Sequence, residues 1–453
     1  MGGFLLLVVL LCIISAVTAV DNNNNDNDVV LPTVPLSSGA EFPLVGLGVG
    51  NLQHNLIEDR IEKAMATDKR TMVFDTAHAS RNEDIVRRGV GHGLIQLQSS
   101  SEEVHVVTKV WYTHLGYDRT IMSVRESLRN LNHAHVKVHI LLHWPRCRDD
   151  IPWMNCEQEE QDLPLAVKNA GPPPHLHKET AFLESWTALE DIYLGNTKLG
   201  KGLPKLESIG VSNFALDDLK EMGKTQRVTP HILQGNIWSY VFDPNLIDYC
   251  RENQILFQAF NVINGVFYDR DYEDAPNAIL ALNAISQQLS QRAEPPLTPE
   301  DHKNYTLPQV VLKWLVQNDV SVIPRTSKIE RLQENSAVSI ARMPPLDPLE
   351  EDTVQSAVAA LLTKEDIKPP LAEFINRSSD TLVNIFWVHG ETGEEVSVKE
   401  GLPPGETYTA FTQRDHTFAV YFQGTNQRKE FVVHAQHGQH QRFDLNPLED
   451  EEL

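Results

Sequence analysis

The chain is poor in cysteine, in positive charge and in long apolar runs. Only 4 of its 453 residues are cysteine, and their spacing gives no zinc-binding signature. With 39 basic against 62 acidic side chains, the formal net charge is -23, which repels phosphate backbones, so we expect no nucleic-acid partner. Beyond the N-terminal segment, no apolar run approaches the roughly 20 residues of a membrane-spanning helix. A hydrophobic fraction of 41% still supports a sizeable folded core.

The one long apolar segment lies at the start of the sequence. It begins at Phe4 and ends in small residues, with Val17 and Ala19 suited to the positions before a cleavage site. We therefore predict a signal peptide over residues 1–20, followed by a flexible, acidic and Asn-rich segment over residues 21–41. An uncleaved membrane anchor is the alternative interpretation.

The glycosylation triplets and the C-terminal residues have a function only if the chain enters the secretory pathway. Asn304 (NYT) and Asn376 (NRS) are N-glycosylation acceptors there, which predicts a glycoprotein. The final residues, DEEL, are similar to a retrieval signal of the endoplasmic reticulum, although an acidic solvated tail over residues 448–453 is the alternative. Together with the signal peptide, they favour the lumen of the endoplasmic reticulum over secretion.

The three cysteines beyond the signal peptide fit the same compartment. In an oxidising lumen, Cys147 and Cys156 are able to close a small loop. Cys250 is then left as a buried thiol on a helix. Three unpaired thiols are the alternative.

The middle of the chain alternates short apolar runs with amphipathic stretches, which is typical of a parallel sheet with crossover helices. The eight strand candidates are PLVGLG, TMVFDTA, VHVVTKVW, VKVHILLHW, LESIGVSN, HILQGN, ILFQAFN and SVIPRT. Eight such strands with interleaved helices predict a (β/α)8 TIM barrel over residues 42–345, of the α/β class. Two connections, residues 146–178 and 262–306, are too long for plain loops and indicate lids or insertions.

The sequence pattern changes beyond the predicted barrel. Residues 346–371 predict a helix and a Pro-rich linker. Residues 372–447 show short alternating runs such as TFAVYF, separated by turn signals such as PPGET, which predict a small all-β sandwich domain.

Polar residues follow the apolar part of most barrel strands. In this fold the carboxyl ends of the strands meet at one mouth, where the reacting groups lie. Taken singly, each residue has a structural explanation, such as a helix cap or a solvated charge. Taken together, Asp75, Lys109 and His143 on consecutive strands predict a proton-handling cluster.

The segments that carry these residues resemble the landmarks of the aldo-keto reductase family. PLVGLGVGN, FDTAHASRNE, VVTKVW, ILLHWP, IGVSNF and VIPRTSKIERLQEN occur in the family's order over roughly residues 42–340. The resemblance implies a metal-free barrel that binds NADPH across its mouth and transfers hydride to a carbonyl group. It assigns catalytic roles to Asp75, Lys109 and His143. It implies that the cofactor is bound by Ser212, Asn213, Gln234, Phe260, Arg325, Thr326, Arg331, Glu334 and Asn335.

Two positions depart from the family pattern. The proton-donating tyrosine of the family corresponds to Ser80, whose hydroxyl is too weak an acid and whose side chain is too short to replace a phenol. The loss of a general acid typically slows a reaction by roughly 10² to 10⁴. His78, His143 or a bound water is the alternative proton source. The aromatic residue that usually follows the first strand is Gly50, so we also expect one wall of the substrate pocket to be missing.

The C-terminal segments FINRSS, VNIFWVHGETGE, LPPGETYTAF and DHTFAVYF resemble the β domain of the von Hippel-Lindau family. That resemblance implies a hydroxyproline-peptide site. His416 keeps the family's histidine, Thr412 replaces a serine and Phe418 replaces a tryptophan, while Lys399 stands at a tyrosine position. A generic protein-interaction or purely structural sandwich is therefore the favoured interpretation.

Two functional hypotheses follow. The first is an NADPH-dependent oxidoreductase that reduces a small aldehyde or ketone, weakened by Ser80. The second is a catalytically weak NADPH-binding barrel that acts with the C-terminal domain as a protein-interaction module. The retained Asp75, Lys109 and His143 favour the first hypothesis, whereas Ser80 favours the second.

Overall fold

The computed structural model describes most of the chain between Val29 and Pro447. The described ranges are 29–68, 72–98, 103–148, 151, 153–268, 275–294, 304–367, 370–390, 392–412, 415–435 and 439–447. The predicted signal peptide and acidic tail lie outside them. Within these ranges no helix combines the length and apolarity that crossing a bilayer requires.

Eight parallel strands form the central sheet, which confirms the predicted barrel. They are β3 (Gly46–Gly48), β4 (Val73–Asp75), β5 (Val104–Val110), β6 (Val136–Leu142), β7 (Leu206–Ser212), β8 (Ile232–Asn236), β9 (Leu256–Phe260) and β10 (Ser321–Val322). Each pairs with its sequence neighbour. A parallel bridge between Val45 and Val322 joins the last strand to the first, and the Val322 N–H donates to Leu44 O at 2.7 Å.

Helices surround this sheet because their apolar faces cover the outward side of the strands. They are α1 (His54–Asp68), α2 (Glu83–Leu97), α3 (Tyr117–Asn130), α4 (Cys156–Gln161), α5 (Leu165–Lys168), α6 (Ala181–Tyr193), α7 (Leu216–Gly223), α8 (Ile237–Phe242), α9 (Pro244–Glu252), α10 (Pro276–Gln291), α11 (Leu307–Gln317), α12 (Ile329–Glu334), α13 (Ala337–Arg342) and α14 (Pro348–Thr363). Helix α14 packs on α10 and α11 and buries Val354 and Leu361, so the helix that we expected in a linker belongs to the barrel unit.

Inward-facing side chains fill the barrel in layers, as the two-residue repeat of the strands requires. The middle layer is apolar and includes Val73, Val107, Leu141 and Ile232. Gly210 lies on this inward face, where a Cβ atom would stand 2.3 Å from Ile232 O. A glycine is therefore required there for β7 and β8 to pair so closely.

A β-hairpin closes the N-terminal end of the barrel, which we call the barrel floor. Strand β1 (Thr33–Pro35) pairs with β2 (Glu41–Pro43). Phe42 inserts into the barrel and is 0% exposed, with its ring against the rings of His105 and His139 at 5.7 and 5.0 Å. Residues 33–41, which we expected within a flexible segment, are therefore part of the barrel unit; apolar contact with the floor orders them.

The C-terminal residues form two sheets of a small sandwich, as the fold prediction required. One sheet contains β14 (Thr407–Phe411), β11 (Leu371–Asn376) and β17 (His440–Leu445), and the other contains β13 (Glu395–Leu402), β12 (Val383–Val388), β15 (Thr417–Phe422) and β16 (Arg428–Val432). Phe374, Ile385 and Phe422 fill the core between the sheets. All strand pairs are antiparallel except β11 with β17, which is parallel.

Candidate active site

A buried ion pair stands at the carboxyl ends of β4 and β5, the end that we call the barrel mouth. Lys109 Nζ donates to Asp75 Oδ1 at 2.6 Å and to Thr76 O at 2.7 Å. Lys109 is 4% exposed and Asp75 is 8% exposed. Burial makes an unpaired charge very unfavourable, so the carboxylate and the ammonium group hold each other in place.

Two glutamines extend this pair across the barrel. Gln234 Nε2 donates to Asp75 Oδ1 at 2.7 Å and to Gln258 Oε1 at 2.8 Å. Gln258 Nε2 in turn donates to Ser321 Oγ at 3.1 Å. The network thus links five strands, β4, β5, β8, β9 and β10. We did not predict Gln258, although a polar residue in the middle of the apolar run LFQAF was a usable signal.

His143 follows β6 at the same mouth. Its ring meets the ring of Trp111 edge to face at 4.8 Å. Its Nδ1 is buried and has no hydrogen-bond partner among the described residues. Burial, reinforced by the charge of Lys109, holds the pKa of His143 well below its usual range, so the imidazole is neutral at physiological pH.

The predicted carboxamide-binding residues lie beside His143. Asn213 Nδ2 donates to His143 O at 3.0 Å and to Ser212 Oγ at 3.2 Å. Asn213 has a φ of 58°, a left-handed conformation that asparagine tolerates better than most residues. Phe260 ends β9 and is partly exposed, which leaves ring surface available for stacking.

Ser80 lies in the short 3-10 helix His78–Ser80 that follows β4. A Cβ atom built on Gly50 would stand 3.2 Å from Ser80 Oγ, so the two positions are immediate neighbours. Both positions that depart from the family pattern therefore fall on one side of the mouth. His78 instead contacts Glu126 at 3.1 Å and the ring of His114 at 4.9 Å.

The predicted nucleotide-binding residues form a separate group after β10. Arg325 is exposed, and its Nη1 donates to Asn51 O at 3.3 Å. Thr326 and Asn335 line one narrow cleft with Leu332. Asn335 Oδ1 is buried there and accepts no hydrogen bond from the described residues. Arg331 and Glu334 are three residues apart on helix α12, so their side chains lie on the same face of that helix.

A third group at the mouth comes from residues 146–178, which we call the first insertion. Cys147 and Cys156 form a disulfide there, with their Cα atoms 5.9 Å apart. Trp153 is 58% exposed, and its ring lies 6.2 Å from that of Trp111 and 5.9 Å from that of Trp144. We call these three tryptophans the aromatic wall.

The sandwich residues singled out from the sequence divide into two sets. Thr412 Oγ1 and His416 Nδ1 are hydrogen-bonded at 3.1 Å, and the ring of Trp387 lies 5.3 Å from that of His416. Burial lowers the pKa of His416. Phe418 is 3% exposed and packs in the core against Phe374. Its ring therefore has a packing role and does not offer a surface to a peptide.

The fold and the site define the class first: a (β/α)8 barrel with a buried lysine–carboxylate pair at its mouth. Among the described residues no group of three or more His, Cys, Asp or Glu side chains is arranged to hold a metal ion. The profile of the Aldo/keto reductase family matches residues 57–356, which is more than half of the chain. The chain therefore belongs to the aldo/keto reductase family.

Individual relatives are distant. Glyoxal reductase of Bacillus subtilis is 25% identical over 327 residues, which cover 71% of this chain and 93% of the relative. NAD(P)H-dependent D-xylose reductase of Kluyveromyces lactis is 27% identical over 315 residues, covering 68% of this chain and 88% of the relative. A solved aldo-keto reductase of Bombyx mori in complex with NADP is 20% identical with a TM-score of 0.53, covering 74% of this chain and 94% of that one. At this identity the structural likeness supports the fold alone.

Proposed function

We propose that the barrel is an NADPH-dependent oxidoreductase that reduces the carbonyl group of a small aldehyde or ketone. The observation that carries the proposal is the Lys109–Asp75 pair, which is buried at the mouth beside the neutral His143. The reductase activities named for the glyoxal and xylose relatives support it.

The residues present suit NADPH. The buried, unpartnered Asn335 Oδ1 is an acceptor suited to the amino group of an adenine ring. Arg325 and Arg331 suit a dianionic 2′-phosphate through charge-assisted hydrogen bonds. Ser212, Asn213 and Gln234 would hold the carboxamide, and the ring of Phe260 would stack on the nicotinamide. When bound, NADPH supplies the hydride.

The protein's own groups prepare the carbonyl for reduction. Asp75 and Thr76 O each accept one hydrogen bond from Lys109 and so orient its ammonium group. Because His143 is neutral, it is able to donate a hydrogen bond to the carbonyl oxygen without bringing a second positive charge close to Lys109. The ring of Trp111, which belongs to the aromatic wall, contacts His143 edge to face on one side of the pocket.

Ser80 weakens this machinery because it removes the general acid of the family. The proton that the product alcohol requires then comes from a bound water, which is a poorer donor than a phenol in this position. We therefore propose a slow or substrate-restricted reductase. The alternative, an NADPH-binding barrel that serves the sandwich as a protein-interaction module, is favoured by the same serine.

Ser80→Tyr distinguishes the two functions, with Ser80→Phe as the matched control that adds a ring without an acid. We expect Ser80→Tyr to raise turnover by roughly 10² or more and Ser80→Phe to leave it low. NADPH consumption over a panel of aldehydes and ketones measures turnover, and fluorescence titration measures cofactor binding. If the wild type and Ser80→Tyr both bind NADPH tightly and neither turns over, the alternative function as an NADPH-binding interaction module is favoured.

A further inference from the structure

The two glycosylation triplets occupy opposite environments. Asn304 is exposed, just before helix α11. Asn376 is 0% exposed in β11. Its Nδ2 donates to Thr381 O and to Leu402 O, both at 2.8 Å, and its Oδ1 accepts from the N–H and the hydroxyl of Ser378.

We propose that the chain is delivered to the lumen of the endoplasmic reticulum and carries an N-linked glycan at Asn304 and none at Asn376. A sugar on Asn376 Nδ2 would replace one of two buried amide hydrogens and would have to occupy the space between the sandwich sheets. The sandwich therefore folds only around an unmodified Asn376.

The environment of the cysteines supports the same compartment. The Cys147–Cys156 disulfide is the kind of bond that persists where the surroundings are oxidising. Cys250 is the free cysteine of the described residues; burial raises the pKa of its thiol to about 12, which keeps it protonated and unreactive. The folded chain thus exposes no reactive thiol among the described cysteines.

The Asn304 triplet also tolerates modification structurally. Thr306 caps helix α11, accepting a hydrogen bond from the Gln309 N–H, while Tyr305 O accepts one from Ser286. None of these bonds involves the Asn304 side chain. A glycan there leaves the helix cap unchanged.

The test expresses the full-length chain in animal cells and maps glycans in its soluble, protease-resistant fraction. Peptide:N-glycosidase F in heavy-oxygen water should convert Asn304 to labelled Asp and leave Asn376 unchanged. On a denaturing gel, the deglycosylated chain should migrate faster than the untreated chain. Asn304→Gln should abolish this difference in mobility, whereas Thr306→Ser, which keeps both the triplet and the cap, should retain it. Endoglycosidase H should remove the glycan, as expected for a resident of the endoplasmic reticulum. An unmodified Asn304, a resistant glycan or a labelled Asn376 in this fraction would overturn the proposal.

A separate observation concerns Glu159 in helix α4 of the first insertion. Its carboxylate accepts a hydrogen bond from Trp111 Nε1 at 2.8 Å and another from the Tyr112 hydroxyl. Burial and the neighbouring Glu159 carboxylate raise the pKa of Tyr112 above its usual range, so that phenol remains a donor. Trp111 is the ring that contacts His143.

We infer that Glu159 is a positioning residue that fixes the tilt of Trp111 over His143 and so sets the substrate-facing side of the aromatic wall. This inference rests on the proposed reductase function. Glu159 itself touches neither His143 nor the Lys109–Asp75 pair in any hydrogen bond of the described residues. Its effect should therefore fall on substrate binding and not on the chemical step.

Glu159→Ala tests the role, with Glu157→Ala on the exposed side of the same helix as the control. We expect Glu159→Ala to raise KM roughly tenfold, because Trp111 loses the charge-assisted hydrogen bond that holds its ring, with kcat and NADPH affinity within about twofold of the wild type. Glu157→Ala should change none of them. An unchanged KM in Glu159→Ala would refute the inference even though the wild type turns over. A wild type that binds no NADPH would instead refute the proposed function.

Discussion

Acidification should destabilise the barrel through two histidines buried in its floor. His105 Nδ1 and His139 Nε2 are hydrogen-bonded at 2.9 Å, and His139 Nδ1 contacts Ser208 Oγ at 2.6 Å. Phe42 covers both rings from the hairpin. Neither histidine pairs with a carboxylate in the described residues, so protonation would place an uncompensated charge in an apolar cavity.

The direction in which stability changes with pH follows from the lowered pKa values of the two histidines. Burial lowers the pKa of His105 to about 4, with Glu103 raising it and Lys137 lowering it to smaller extents. Burial, then the neighbouring His105, His231 and Lys137, hold the pKa of His139 well below its usual range. The unfolded chain binds protons near pH 6.5, whereas the folded chain does not. Stability is therefore complete above about pH 6.5 and falls as the pH decreases towards 4.

The magnitude can be worked out for His105 alone. Each pH unit over which the unfolded state holds one extra proton costs about 1.4 kcal/mol. Between pH 6.5 and 4.5 this amounts to roughly 2 to 3 kcal/mol, a large part of the stability of a typical domain. His105→Asn keeps an amide near the Nδ1 position and cannot titrate, so it should lose that much less stability on acidification.

Urea denaturation at pH 7.5, 5.5 and 4.5 measures the effect, followed by tryptophan fluorescence because all tryptophans except Trp387 precede the sandwich. His92→Asn on helix α2 is the control, because the His92 side chain is 55% exposed at the surface. The free energy of unfolding of His92→Asn should change with pH in the same way as that of the wild type. An equal loss of stability in wild type and His105→Asn would contradict the buried, neutral state of the floor.

Three further changes test the packing of the barrel and of the sandwich. Cys147→Ser should lower the free energy of unfolding by about 2.5 kcal/mol, because the disulfide joins residues 9 apart in sequence; a reductant should reproduce the loss in the wild type and have no further effect on the variant in a thermal melt. Glu160→Gln should cost about 3 kcal/mol in chemical denaturation, because Arg119, which is 1% exposed, loses its carboxylate partner. Phe374→Ala should destabilise the sandwich by about 3 to 5 kcal/mol, with limited proteolysis confined to that domain and NADPH affinity unchanged.

The barrel could be predicted because its signals are local. Runs such as VKVHILL have the length and apolarity of strands buried on both faces, and helices separate them at regular intervals. The polar residue that ends each run then falls at the mouth by the geometry of a parallel sheet. Lys109 and Asp75 were placed in one site by this reasoning, and their hydrogen bond agrees with it.

Other features depend on contacts between distant segments, to which local patterns are insensitive. The Asn-rich composition before residue 33 conceals the hairpin, because its order comes from the burial of Phe42 against His105. Glu159 was not identified, since its partners precede it by almost fifty residues. Phe418 illustrates the converse: a family resemblance suggested a binding role, whereas the strand register turns its ring into the sandwich core.

The hairpin at the barrel floor also determines which end of the barrel is free for chemistry. Leu44 donates its N–H to Pro32 O, so the chain reaches the barrel at the end opposite the mouth. A purification tag, fluorescent label or surface tether attached upstream of Pro32 would therefore lie on the side of the barrel floor, away from the barrel mouth. Immobilised in this orientation, the protein would keep Lys109 and the aromatic wall turned towards the solution.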